Sequence, residues 1–316
     1  MSQSRQYAYY PGCSMRATAH AYDRTARRVS EMLDLSLQEI EDWNCCGATE
    51  YMSISALQAY SLVARNLSLA ATQNATDLVS PCSACYLNLR KTNDNMKKYP
   101  DLNDQVNQAL AAGGISYTPG ALRVRHLLDV IVEDVGFDAV AALVKQPLKG
   151  MKVAPYYGCL IVRPSVDGYD TEYPTHLDKL MQTLGAGVVD FPLKTHCCGG
   201  HMTQISEETA FELIRRILHN AADYGADAIV TLCPMCQLNL DAYQPQVNAM
   251  FGTRFNIPIL FFTQLMGLAF GLTFDEAEIG SEIIPALAAL GKIGQESPEQ
   301  VAPKRRDKKA LPMPIP

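Results

Sequence analysis

Ten cysteines in this sequence fall into two matching sets. In the first half, thirty-one residues separate Cys13 from the Cys45-Cys46 pair, and thirty-five separate Cys46 from Cys82, which Cys85 follows. In the second half, thirty-seven residues separate Cys159 from Cys197-Cys198, and thirty-four separate Cys198 from Cys233, which Cys236 follows. Gly47 or Gly199 comes after each pair, and no cysteine is left over. Adjacent cysteines are poorly explained as small buried hydrophobes, because neighbouring side chains point in different directions. A disulfide between neighbours is a strained ring, and a thioredoxin-like CxxC employs two of the five. Tetrahedral zinc takes four thiolates and leaves one spare in each half. Five convergent thiolates suit a polynuclear iron-sulfur cluster, although a cubane also needs only four.

Laid against itself, the chain aligns its equivalent cysteines at offsets of 146, 152, 152, 151 and 151 residues. The flanks repeat too: YYPGC returns as PYYGC, and PCSACYLNL as LCPMCQLNL. Two copies of one module account for this. In the first copy the patterning predicts strands at QYAYYPGC, LQEIEDW and TDLVS with helices over ATAHAYDRTARRVSEMLDL and ISALQAYSLVARNLSLAATQ. In the second it predicts strands at MKVAPYYGC, GVVDF and DAIVTL with helices over THLDKLMQTLGA and SEETAFELIRRILHNAADYGA. Helices between strands give βαβ units, so the expected fold is α/β: two tandem, pseudo-twofold-related modules, each a small, mostly parallel sheet flanked by helices. All the cysteines follow strand ends, where open α/β sheets gather ligands. Pro234, just after Cys233, suits a first helical turn, whose amides lower a nearby thiol's pKa.

Residues 101–120, DLNDQVNQALAAGGISYTPG, read as a polar Gly-rich loop, and RHLLDVIVEDVGF as a helix. A boundary near Gln146-Pro147 gives a first domain over 1–147 and a second over 148–275. Residues 276–316 are expected to form an extended, Pro-rich, partly basic tail, whose KRRDKK run reads as a solvated charge cluster. With 27 basic and 33 acidic side chains the net charge is −6, which argues against a broad nucleic-acid face. No apolar signal segment opens the chain, so the cytoplasm is expected, where cysteines are thiols or metal ligands. Residues 255–274 are apolar, but Asn256, Pro258, Thr263 and Gln264 interrupt them. A buried strand, IPILFF, running into a short helix is predicted there, and no transmembrane span. No GxGxxG fingerprint for a flavin or nicotinamide occurs, so electrons must come from another protein.

The order of a lone cysteine, CCG and CxxC, given twice, with YYPGC, CPMCQLNLD and PILFFTQLMGLAFGL, resembles the CCG-domain family, that of the B subunit of heterodisulfide reductase. The family includes relatives in sulfur oxidisers and relatives associated with succinate dehydrogenase. The resemblance runs from about residue 6 to 273. It implies a noncubane 4Fe-4S cluster in each module, held by Cys13, Cys45, Cys46, Cys82 and Cys85 in the first and by Cys159, Cys197, Cys198, Cys233 and Cys236 in the second. Zinc in one module is the alternative. It also implies two-electron disulfide reduction or thiol oxidation in a multi-subunit complex, with a ferredoxin-like 4Fe-4S subunit and a flavoprotein as partners and peripheral membrane association through them. The other reading is an electron-transfer subunit that links a flavoprotein to quinone in a succinate dehydrogenase or fumarate reductase type of complex.

Beside the cysteines, His196 and His201 are candidate proton donors to a leaving thiolate. Arg16 and Arg163 are candidates for holding an anionic substrate group, against ordinary salt bridges. His126 is expected to pack at the domain junction.

Overall fold

The computed structural model describes residues 5–48, 51–73, 75–164 and 170–295. The first module runs β1 (Arg5–Tyr9), α1 (His20–Met32), β2 (Leu35–Glu39), α2 (Tyr51–Ile54), α3 (Ala56–Ala71), β3 (Asp77–Ser80), α4 (Ser83–Lys98), α5 (Pro100–Ala111) and β4 (Arg123–His126). Helices α6 (Leu127–Asp129) and α7 (Phe137–Leu143) follow, separated by a turn of π-helix. The second runs β5 (Lys152–Tyr156), α8 (His176–Thr183), β6 (Gly187–Val188), α9 (Glu207–Asp223), β7 (Ala228–Thr231), α10 (Pro234–Ala242), α11 (Gln244–Phe251), β8 (Ile259–Phe261), α12 (Phe262–Ala269) and α13 (Leu287–Leu290).

Each module is one four-stranded parallel sheet, ordered β2-β1-β3-β4 in the first and β6-β5-β7-β8 in the second. Strands β3 (DLVS) and β7 (AIVT) are buried throughout, as expected of strands covered by helices on both faces. The order reverses beside β1 and β5, and at such a switch point the loops leaving neighbouring strands splay apart and leave a crevice. The loops after β1, β2 and β3 carry Cys13, Cys45-Cys46 and Cys82, and those after β5, β6 and β7 carry their equivalents. The tandem α/β architecture follows the repeat.

The modules exchange packing. Helix α1 lies on α12: Tyr22 stacks on Phe261 with ring centroids 4.2 Å apart, and the hydroxyls of Thr25 and Thr263 bond at 2.7 Å. Helix α8 in turn packs on α6 and α7.

Three expectations change. Residues 101–111 are not loop but most of α5: Pro100 fits the first turn, and Leu102, Val106 and Leu110 recur every four residues with Val106 and Leu110 buried. The polar residues of that stretch are its outward face. Strand β2 starts two residues earlier than predicted, at Leu35, whose side chain is buried. Residues 276–295 are not extended: Ala277, Ala286, Ala289 and Leu290 are buried, and the Asp241 carboxylate accepts the backbone N–H groups of Ile283 and Ile284 at 2.7 and 2.9 Å. The basic run Lys304 to Lys309 and the Pro-rich end lie outside the described residues. IPILFF does form β8 and enters α12, eight residues long and buried. Among the described residues no helix is long and apolar enough to cross a membrane.

Candidate metal centres

Each CxxC is built into a helix start. Cys82 and Cys233 are the N-cap residues of α4 and α10, which puts Cys85 and Cys236 in their first turns. Backbone amides of Met235 and Cys236 help hold the Cys233 thiol well below its ordinary pKa, after the larger effect of its bonds to Cys236 and Cys82.

The Cys-Cys loops close on these helix starts in the same way. In the first module the sulfurs of Cys46 and Cys85 are 3.4 Å apart, and those of Cys45 and Cys13 3.6 Å. In the second, Cys198 and Cys236 are 3.4 Å apart, and the Cys159 thiol bonds to Cys197. Neighbouring cysteines thus reach different partners, which answers why each module has two side by side. Gly47 and Gly199, at φ +74° and +95°, turn the chain so that their N–H groups donate to Cys45 and Cys197 sulfur at 3.4 and 3.3 Å. The Cys159 bond, aided by the Gly199 amide, lowers the Cys197 thiol to about 6 against the opposing effect of burial. Gly12 and Gly158, both at positive φ, leave room for the facing thiol. A Cβ at Gly12 would lie 2.8 Å from Cys85 sulfur, and one at Gly158 3.1 Å from Cys236 sulfur.

All five cysteines of the second module line one mostly apolar cavity of about 240 Å³, together with His201, Met202, Ile205 and Met235. Donors arranged around a volume, all of them soft thiols, suit a polynuclear iron-sulfur group better than a single tetrahedral ion.

Around the thiols stands a second, repeated layer. Tyr10 donates to the Asn44 carbonyl at 2.8 Å and Tyr156 to the His196 carbonyl at 2.6 Å, each bracing the residue before a Cys-Cys pair. Burial, then the surrounding thiols, pushes both phenols far above their ordinary pKa. Asn88 donates to the Cys46 carbonyl at 3.0 Å and also bonds Ala48. Asn239 donates to the carbonyls of Cys198 at 3.2 Å and Gly200 at 2.7 Å. The doubled YY and LNL strings were the signal for these four residues; nothing in their side-chain chemistry marked them as site residues.

The other candidates lie where other groups engage them. Arg16 pairs with Glu39, which also takes Arg27 at 2.6 Å and Trp43 at 2.9 Å. Arg163 donates to the Thr195 carbonyl at 3.0 Å and to Glu172 at 2.8 Å, bracing the approach to Cys197. His196 is exposed, and partial burial together with Arg216 and Arg163 lowers its pKa. His201 lies on the cavity wall. His126 is fully buried where the two modules meet.

A model of the cysteine-rich CCG domain matches residues 7–90 and again 153–241. The membrane anchor subunit of 8-methylmenaquinol:fumarate reductase from Wolinella succinogenes is 34% identical over 284 residues, 89% of this chain and 98% of that one. The B subunit of ferredoxin:CoB-CoM heterodisulfide reductase from Methanosarcina mazei is 29% identical over 287 residues, 89% of this chain and 95% of the relative. A protein from Archaeoglobus profundus, described as like the B subunit of heterodisulfide reductase, is 28% identical over 281 residues, 87% and 93%. Among solved structures, a hypothetical protein from Helicobacter pylori superposes with a TM-score of 0.73 at 14% identity. That match covers 89% of this chain and 52% of the other, and it speaks for the fold alone.

Proposed function

The chain belongs to the cysteine-rich CCG-domain family that includes the B subunit of heterodisulfide reductase, and from that premise we propose that it is the catalytic subunit of a disulfide-reducing or thiol-oxidising complex. The family makes it an iron-sulfur oxidoreductase subunit concerned with electron transfer. One observation carries the finer reading: two complete five-thiol sets, neither missing a member, meet through the side chains of Cys82 and Cys233.

The holders in this reading are Cys13, Cys45, Cys46, Cys82 and Cys85 for one noncubane 4Fe-4S cluster, and Cys159, Cys197, Cys198, Cys233 and Cys236 for the other. When bound, the pair supplies one electron from each side, so that a disulfide, two electrons and two protons give two thiols. The chain's own residues do the rest. Tyr10, Tyr156, Asn88 and Asn239 fix the Cys-Cys loops, and the apolar walls from Met202, Ile205 and Met235 limit water. His201, which lines the cavity, is the first of the two histidine candidates for giving a proton to a leaving thiolate, and the exposed His196 next to Cys197 is the second. Arg16 and Arg163 serve as braces in this reading, each held by a carboxylate. A ferredoxin-like subunit and a flavoprotein supply the electrons.

A second reading, electron transfer to or from quinone, is favoured by a groove of about 670 Å³ beside the first module. It is lined by Leu57, Leu62, Leu69, Leu110 and Ile115, with Arg65 and Asp42 at one margin. The equivalents of Leu57 and Leu69 on α9 are Glu208 and Asn220, so the repeat lacks part of this apolar wall. Iron and acid-labile sulfide on anaerobically purified protein, with its paramagnetic spectrum recorded with and without thiols, decides between the two. A thiol-dependent signal supports the disulfide reading; centres that titrate but ignore thiols and respond to quinol favour the second.

A further inference from the structure

At the module boundary the Cys82 and Cys233 side chains interact. The carbonyls just before them, of Pro81 and Leu232, converge on one phenol. Tyr22 donates to Pro81 at 2.9 Å, and its oxygen lies 3.4 Å from the Leu232 carbonyl. A phenol has a single proton, so two carbonyls that share it are held at a common point. Ser83 adds a hydroxyl 3.5 Å from the same Leu232 oxygen.

His126 reaches this point from the end of β4. Its Nδ1 accepts the Leu128 N–H at 3.1 Å, which assigns the proton of the neutral ring to Nε2. Nε2 faces the Pro81 and Leu232 carbonyls, fully buried and without a well-formed bond to either. A buried polar atom in that state calls for an explanation.

The repeat supplies an internal control. His126 pairs in register with Ser80, as Phe261 does with Thr231, so Phe261 is the second module's counterpart of His126. The counterpart of Ser83 is Pro234. Both counterparts lack a side-chain donor. These three donors come from the first module, and each faces the second module's strand end at Leu232. Core packing alone would be met equally well by apolar residues, as the second module demonstrates.

We propose that Tyr22 and His126 are positioning residues for the contact between the two metal sites: the Tyr22 hydroxyl holds the carbonyls of Pro81 and Leu232 together, the His126 Nε2–H faces the same pair, and the two residues thereby set the spacing of Cys82 and Cys233. The peptide carbonyl before an N-cap residue fixes where that residue starts its helix, so a shift there moves the ligand itself. The inference rests on the reading that these cysteines hold redox centres.

Tyr22→Phe keeps the ring on Phe261 and removes only the hydroxyl; His126→Leu removes the second donor. In anaerobically purified holoprotein, both variants should keep wild-type iron and sulfide yet show a weakened magnetic interaction between the two centres. In iron-free protein, limiting diamide should give a Cys82–Cys233 disulfide, mapped by peptide mass spectrometry. Its yield should fall about fivefold in Tyr22→Phe, the equilibrium equivalent of one neutral hydrogen bond. Wild-type magnetic interaction and wild-type cross-link yield in both variants would overturn the proposal. A wild-type chain devoid of iron centres would instead sink the cofactor reading, and the cross-link yield would still decide this one.

Discussion

The side-chain amide of Asn239 donates to the carbonyl of Cys198 at 3.2 Å, and its sulfur contact with the same residue is 3.6 Å. With the Gly200 bond, one buried amide spans the turn that presents a Cys-Cys pair. Asn239→Ala leaves these carbonyls unpaired, a loss of about 1–3 kcal/mol concentrated at the loop. The expected outcome is reduced iron in the second module with the first module's signal intact, and Asn88→Ala should give the mirror result. Iron per chain and the paramagnetic spectrum check it.

Gly12 and Gly158 provide a graded test. At φ +85° any L side chain is strained, and at Gly12 the new Cβ also meets Cys85 sulfur at 2.8 Å. Gly158, with 3.1 Å to Cys236, is the milder case. Gly12→Ala should therefore lose more metal from its module than Gly158→Ala does. Gly252→Ala, at φ +64° with open space around it, should lose stability without losing iron.

Cys46 and Cys198 are buried members of their pairs, each bonded to the first-turn cysteine of its own CxxC. Replacing either by Ser should abolish turnover and remove the signal of one centre. Unchanged iron and activity in both variants would refute the ligand assignment.

Glu282 tests the segment over residues 276–295. Its Oε2 accepts the Gly280 N–H at 3.0 Å, while Oε1 is buried without a partner. Burial raises its pKa, and that of the neighbouring Asp241. A carboxyl whose folded pKa lies above its unfolded value destabilises the fold at high pH. That cost is relieved as pH falls through the folded pKa and is absent below the unfolded one. Glu282→Gln should thus stabilise the protein at neutral pH, with the gain shrinking as the solution is acidified. Urea midpoints at several pH values measure it.

Much of this site was legible because the chain states it twice. The cysteine offsets gave the repeat, the strand-helix alternation gave parallel sheets, and strand ends put the thiols at one edge of each sheet. Asn88 and Tyr10 were visible only as repeated flanks, since their work is done on backbone carbonyls, which carry no sequence signature. Tyr22 is the opposite case, because no local pattern announces a contact between residues 22 and 232; His126 was expected at the junction and lies there, but the Leu232 carbonyl was not expected as its neighbour. Helix α5 was hidden by polar residues that belong to its exposed face. Residues 276–295 were hidden because their anchorage depends on the Asp241 carboxylate, far away along the chain.

The reciprocal packing of α1 on α12 and α8 on α6 and α7 bears on ancestry. Two identical subunits related by a twofold axis meet through one patch used twice, and this fold presents that arrangement inside a single polypeptide. Joined in one chain, the two halves need not stay alike, and position 126 carries a histidine where its counterpart, position 261, carries a phenylalanine.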